Sequence, residues 1–164
     1  MLKTWMFAFL LALSLGAQDT VVVFLRHAEK THRGDAAELS ATGRHRAAAL
    51  PLDLLPYRPV ALFASDRRRT QQTLAPLATR LGQPLQLYER GQEAALGRRL
   101  LLFYEGKTVI VCGHSDTLGA LVGALGYAPE FPEILGFDRF WVLRIPTGKG
   151  SPSLEEHRQK HRTR

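Results

Sequence analysis

Five short apolar runs punctuate the chain: Val21-Val22-Val23-Phe24-Leu25, Val60-Ala61-Leu62-Phe63, Leu85-Gln86-Leu87-Tyr88, Thr108-Val109-Ile110-Val111 and Phe140-Trp141-Val142-Leu143. Each has strand length, and the first is uninterrupted rather than alternating, as expected of a strand covered on both faces. Stretches of helical character lie between them, over residues 40–55, 67–81, 92–104 and 115–125. The alternation of strand and helix predicts an α/β fold: a three-layer α/β/α sandwich around a mostly parallel central sheet, with the first strand central.

The punctuation agrees with these boundaries. Ser40 and Ser65-Asp66 suit helix N-caps, and Gly82 and Gly126 stand where a helix ends in a residue free to adopt positive φ. Pro51 and Pro56 predict an early end or kink for the first helix, and Pro76 a bend or break in the second. From Pro146 onward the chain is rich in Gly, Pro, Ser and charge, which predicts a loosely ordered basic tail over residues 146–164.

A length of 164 residues with 45% hydrophobic content suits one compact domain, here residues 18–145. Lys3, the apolar run over residues 5–13 and the small residues Ser14-Leu15-Gly16-Ala17 look like a signal peptide over residues 1–17. The run falls short of the roughly 20 residues of a spanning helix, and an uncleaved N-terminal membrane anchor is the alternative. A periplasmic or secreted location follows as the expectation. The single cysteine, Cys112, lies inside an apolar run and reads as a small buried residue, so stability must come from the core. The net charge of +7 suggests nucleic acid until its distribution is considered, because residues 18–145 hold 16 Lys/Arg against 13 Asp/Glu. A small anionic ligand explains those arginines at least as well as a polyanion, and no nucleic-acid partner is expected.

The candidate chemistry gathers where strands end. Arg26-His27-Ala28-Glu29 follows the first strand directly, at the carboxyl edge where parallel sheets bind ligands. Leu39-Ser40-Ala41-Thr42-Gly43 opens the first helix, Ser65-Asp66-Arg67-Arg68-Arg69-Thr70-Gln71-Gln72-Thr73 follows the second strand, and Gly113-His114-Ser115-Asp116-Thr117 follows the fourth. In this order the four motifs resemble the histidine phosphatase (phosphoglycerate mutase-like) superfamily. The families' patterns are Arg-His-Gly, with Ala accepted for Gly, then Leu-Ser/Thr-x-x-Gly, Ser-x-x-x-Arg-x-x-Gln-Thr and a second histidine. Gly-His-Ser-Asp-Thr in place of His-Gly-Gly departs from the mutase branch and is closer to small bacterial phosphatases, here an exported one.

The resemblance implies a phosphoglycerate mutase-like fold and a phosphoric monoester hydrolase of the histidine acid phosphatase type, with His27 as nucleophile and no metal or other cofactor. It selects Arg69, rather than Arg67 or Arg68, as the partner of Arg26 in binding phosphate, together with His114 and the amide of Ser115. It places the proton donor after the third strand at Glu89, with Glu93, Asp116 and Asp35 as alternatives. A neutral imidazole can accept a phosphoryl group if its other nitrogen is oriented, and prepositioned cations stabilise the charge spread over the equatorial oxygens. The expected partner is a small phosphorylated substrate; a phosphoprotein or phosphohistidine phosphatase, and a non-catalytic phosphate-binding envelope protein, are the alternatives. Arg67 and Arg68 read as a rim, Phe140 and Trp141 as core, and His32 and His45 as exposed. No His, Cys or Asp spacing suggests a metal site, and the oligomeric state is left open.

Overall fold

The computed structural model describes residues 18–160; the segment expected to be a signal peptide lies outside them. Six strands form one sheet: β1 (Thr20–Arg26), β2 (Ala61–Ser65), β3 (Leu85–Tyr88), β4 (Thr108–Gly113), β5 (Arg139–Ile145) and β6 (Ser153–Arg158). Their order is β3-β2-β4-β1-β5-β6. β1 to β4 run parallel, while β5 pairs antiparallel with β1 and β6 antiparallel with β5. The four helices are α1 (Ala41–Leu54), α2 (Arg68–Leu81), α3 (Glu93–Phe103) and α4 (Leu118–Ala124).

The uninterrupted apolar character of β1 is explained by two cores. Val22 and Phe24 face one way and meet Leu96, Leu100, Leu118, Leu121 and Val122 of α3 and α4. Val21, Val23 and Leu25 face the other way and meet Leu50, Leu54, Leu74 and Leu77 of α1 and α2. Every residue of β1 from Val21 to Leu25 is therefore buried, which no polar alternation would permit. Trp141, Phe140 and Cys112 are buried among them, as expected.

Neither Pro51 nor Pro76 ends its helix, whereas α1 does stop two residues before Pro56. Helix α1 continues through Pro51 to Leu54, and α2 passes through Pro76 to Gly82, whose φ of 63° closes it. A proline inside a helix costs about 3 kcal/mol. Leu74 and Leu77 flank Pro76 fully buried, at about 1.5–3 kcal/mol each, so tertiary packing outweighs the local objection. Ser40 caps α1 as expected, its hydroxyl accepting from Gly43 N. The cap of α2 is Arg67 instead of Ser65 or Asp66, because both of those side chains are engaged elsewhere.

The expectation of a loose tail is corrected over residues 146–160. The Gly- and Pro-rich stretch is the turn of a hairpin, with Gly148 and Gly150 at positive φ, and β6 completes the sheet. His157 stacks on Phe140 with ring centroids 5.2 Å apart, and Arg139 pairs with Glu156. An edge strand takes its stability from the backbone ladder and one half-buried face, so its sequence carries little apolar signal.

Gly43 shows why the second motif requires glycine. Its backbone lies against that of Glu29, and an added Cβ would overlap the Glu29 carbonyl oxygen, which itself accepts from Ser40 N at 2.8 Å. Gly43→Ala should therefore destabilise the fold by about 3 kcal/mol, the upper end of overpacking costs. Chemical denaturation measures this; an unchanged midpoint would show that the loop after β1 yields.

Candidate active site

The carboxyl ends of β1, β2, β3 and β4 converge on one edge, and all the motifs meet there. Arg26 pairs with Gly113 in the β1–β4 register, so the next residues, His27 and His114, leave the sheet side by side. His27 N donates to Gly113 O at 3.0 Å, and the two rings stand edge to face with centroids 5.3 Å apart. Both are about 3% exposed.

His27 is oriented by its own loop. Its Nδ1–H donates to the carbonyl oxygen of Ala28 at 2.7 Å, which directs the lone pair to Nε2. Burial, with Arg69, Arg26 and Lys30 nearby, pushes its pKa down to about 4 in spite of that hydrogen bond. His114 is pushed further, to about 3, by burial and then by Arg69, His27, Arg90 and Arg67. Two neutral imidazoles thus sit within a ring of guanidinium groups.

Helix α2 explains the third motif. Arg69, Gln72 and Thr73 lie three and four residues apart on one helix face. Arg69 reaches the site, where Nη2 lies 3.3 Å from His114 Nδ1 and Nη1 donates to Asp35 O at 3.0 Å. Thr73 Oγ1 accepts from Ala28 N at 3.0 Å, and Gln72 Oε1 accepts from Leu39 N at 2.8 Å. The same helix face therefore supplies the arginine and anchors both ends of the loop that follows His27.

Arg26 is only partly enclosed. Its guanidinium carbon lies 4.2 Å from the centre of the Phe137 ring, which also flanks His27 at 5.9 Å. Phe137 comes from the segment between α4 and β5, which has no motif to announce it. Burial weakens the hold of both Arg26 and Arg69 on their protons, and Asp116 opposes this in each. The Nε–H groups of Arg26, Arg67, Arg69 and Arg90 are all buried and have no hydrogen-bond partner among the described residues.

The four carboxylates considered as proton donors are placed differently. Asp35 pairs with Arg67 and lies 3.9 Å from Arg69, and Asp116 pairs with Arg90. Glu93 is buried at the start of α3, where Oε2 accepts from Gly91 N at 2.8 Å. Glu89 stands at the end of β3 as expected, but it is exposed, and its carboxylate makes no hydrogen bond or ion pair among the described residues. Ser115 is exposed beside His114. It lies in a turn, because α4 begins at Leu118 rather than at Ser115, with Leu118 N bonded to His114 O.

Arg67 is a half-buried rim residue bridging Asp35 and Asp66, and Arg68 is exposed and pairs with Glu38. His32 and His45 are exposed. Glu29, two residues after His27, turns away to a paired contact with Arg46 at 2.9 and 3.0 Å. Arg90, Phe137 and the hydroxyls of Ser65 and Thr70 were not expected as site residues. Arg90 has the weakest signal of these, one arginine in an unpatterned loop. Among the described residues no three His, Cys, Asp or Glu side chains form a metal-binding group.

The family model of the histidine phosphatase superfamily (branch 1) matches residues 22–102, which takes in the first three motifs. No curated protein matches the sequence significantly. Among solved structures, the chain is similar to a mycobacterial glucosyl-3-phosphoglycerate phosphatase, with 17% identity, a TM-score of 0.64, and 87% of this chain and 99% of that one covered. It is similar to the protein histidine phosphatase SixA complexed with tungstate, with 15% identity, a TM-score of 0.66, and 85% and 97% covered. SixA from Nakamurella multipartitia gives 21% identity, a TM-score of 0.63, and 88% and 99% covered. At these identities the structural likeness shows the phosphoglycerate mutase-like fold, and the family model adds the motifs that surround His27. The chain belongs to the histidine phosphatase superfamily.

Proposed function

We propose that the protein is a metal-independent phosphatase that hydrolyses phosphomonoesters through a phosphohistidine on His27. The carrying observation is the oriented, neutral imidazole of His27 set beside the guanidinium groups of Arg26 and Arg69. Guanidinium forks match the oxygens of a tetrahedral oxyanion, so a phosphoryl group is the ligand that suits this combination.

In this reading Nε2 of His27 attacks phosphorus while Nδ1–H stays on the Ala28 carbonyl, which stabilises the charge that develops on the ring. Arg26 and Arg69 take the equatorial oxygens and offset their charge. The leaving oxygen departs with a proton, and water then attacks phosphorus and returns His27 to its resting state. Glu89 is the carboxylate free to approach a bound leaving group, because Asp35, Asp116 and Glu93 are each held by other contacts. A location outside the cytoplasm rests on residues 1–17, and cell fractionation tests it.

One observation favours a second reading within the same chemistry. Among the described residues no carboxylate touches His27 or His114. A phosphohistidine protonated on its other ring nitrogen leaves as neutral imidazole, whose conjugate acid has a pKa near 6.5, and so needs far less help from an acid than an alkoxide. Phosphohistidine or another phosphoramidate would therefore suit the site. If Glu89 is the acid, Glu89→Gln should depress turnover of alkyl phosphates at least about tenfold and leave phosphoramidates nearly unchanged. Equal loss on both substrates would remove the second reading.

For the main proposal, His27→Ala should abolish hydrolysis of an aryl phosphate, and EDTA should leave the wild-type rate intact. Activity that survives in the variant would exclude His27 as nucleophile, and loss with EDTA would exclude a metal-independent route. Attack requires neutral His27, so the acidic limb of kcat/KM, which reports the free protein, should fall only as pH drops through about 4, the value to which burial lowers it. A limb centred near 6.5, measured with substrate well below saturation, would mean that the imidazole is not shielded as described.

A further inference from the structure

A buried hydrogen-bond chain runs inward from His114, and both of its ends have fixed polarity. At the site end stands Arg69, whose guanidinium can only donate, with Nη2 3.3 Å from His114 Nδ1. At the inner end Thr70 Oγ1 lies 3.0 Å from the Ser65 carbonyl oxygen and 2.7 Å from that of Arg67, and carbonyls can only accept. Between them His114 Nε2 is 2.9 Å from Ser65 Oγ, and Ser65 Oγ is 2.8 Å from Thr70 Oγ1.

Counting protons settles the direction of every link. Thr70 has one hydroxyl proton, and it goes to a backbone carbonyl. Thr70 must then accept from Ser65. Ser65 has spent its single proton, so its oxygen must accept from His114, and Nε2 carries the hydrogen. From the other end, Arg69 requires a lone pair on Nδ1. The two ends demand the same species, neutral His114 protonated at Nε2. Ser65 and Thr70 are themselves fully buried, so water does not compete for these positions.

We propose that Ser65 and Thr70 are positioning residues that hold His114 as its neutral Nε2–H tautomer and present the Nδ1 lone pair to the phosphoryl site. The catalytic meaning of this rests on the phosphatase reading given above; the tautomer does not. An acceptor at Nδ1 matches a phosphoryl group that keeps one proton, whose P–O–H donates to His114 while Arg69 turns to the unprotonated oxygens. The bound group is then a monoanion, the form that prevails below a second pKa of about 6. In the wild type kcat/KM should therefore decline above about pH 6. Without Ser65 the ring is free to place its proton on Nδ1 and donate to a dianion, which flattens that decline.

Imidazole ¹⁵N spectra of the full chain with inorganic phosphate bound, so that the anion and not Nδ1 engages Arg69, compared with those of Ser65→Ala under the same conditions, test the tautomer without any turnover. The expected result is a protonated Nε2 on His114 in the wild type and a shift of proton occupancy toward Nδ1 in the variant. Ser65→Ala should also lower kcat by about tenfold, the worth of one buried hydrogen bond, with KM little changed and a flatter alkaline limb. Ser65→Thr should restore both the spectrum and the pH profile, and Thr70→Ser should keep them. Thr70→Val provides an independent break in the chain should Ser65→Ala fail to fold, and it should show the same shift of proton occupancy. A wild-type His114 protonated at Nδ1, or variants that leave Nε2–H unchanged, would overturn the proposal. Wild-type inactivity on every phosphoester would overturn the functional reading alone.

Discussion

The parallel register of β1 on β4 is the constraint on which the rest of the site depends. With Arg26 opposite Gly113, the histidines that follow each strand emerge as neighbours, and the His27 amide is tied to Gly113 O. A shift of one residue would turn every side chain of β1 to the opposite face. Val22 and Phe24 would then face α1 and α2, and both cores would be lost together with the alignment of the imidazoles. Packing of the sheet and geometry of the chemistry are therefore set by one pairing, and hydrophobic burial enforces it.

Electrostatics does the remaining work, and it runs against the intuition that a cationic site is built from charged histidines. Burial and the surrounding arginines keep both rings neutral, so positive charge resides on guanidinium groups that do not titrate. Two neutral imidazoles with available lone pairs can thus coexist with several neighbouring cations. The arginines in turn are held by the rim carboxylates Asp35, Asp66 and Asp116, which limit the repulsion among them. The loop that carries His27 and Asp35 is pinned by Gln72 and Thr73, neutral residues whose hydrogen bonds do not depend on pH.

Much of this was legible in the chain, the strands and helices from local periodicity and the site residues from the resemblance of the motifs to the family. The five apolar runs are strands, the four helical stretches are helices, and Arg26, His27, Arg69 and His114 meet. What escaped was of two kinds. Proline at 51 and 76 predicts breaks that the packing of Leu50, Leu54, Leu74 and Leu77 overrides, and β6 has too few apolar residues to stand out from a solvated tail. Arg90, Phe137 and Thr70 join the site through tertiary placement alone, and Ser65, although it opens the third motif, carries no local sign of its contact with His114. Glu89 shows the limit from the other side: its position after β3 was readable, while the surroundings of its carboxylate depend on a loop that no periodicity describes.

The claim that phosphorus is transferred to His27 is tested most directly by trapping the intermediate. Wild-type protein mixed briefly with an aryl phosphate, quenched in alkali to preserve phosphoramidate bonds and digested, should carry a phosphoryl adduct on the peptide containing His27, and the adduct should be lost in acid. Turnover with an acid-stable adduct on a hydroxyl, or an adduct on His114 instead, would contradict the account.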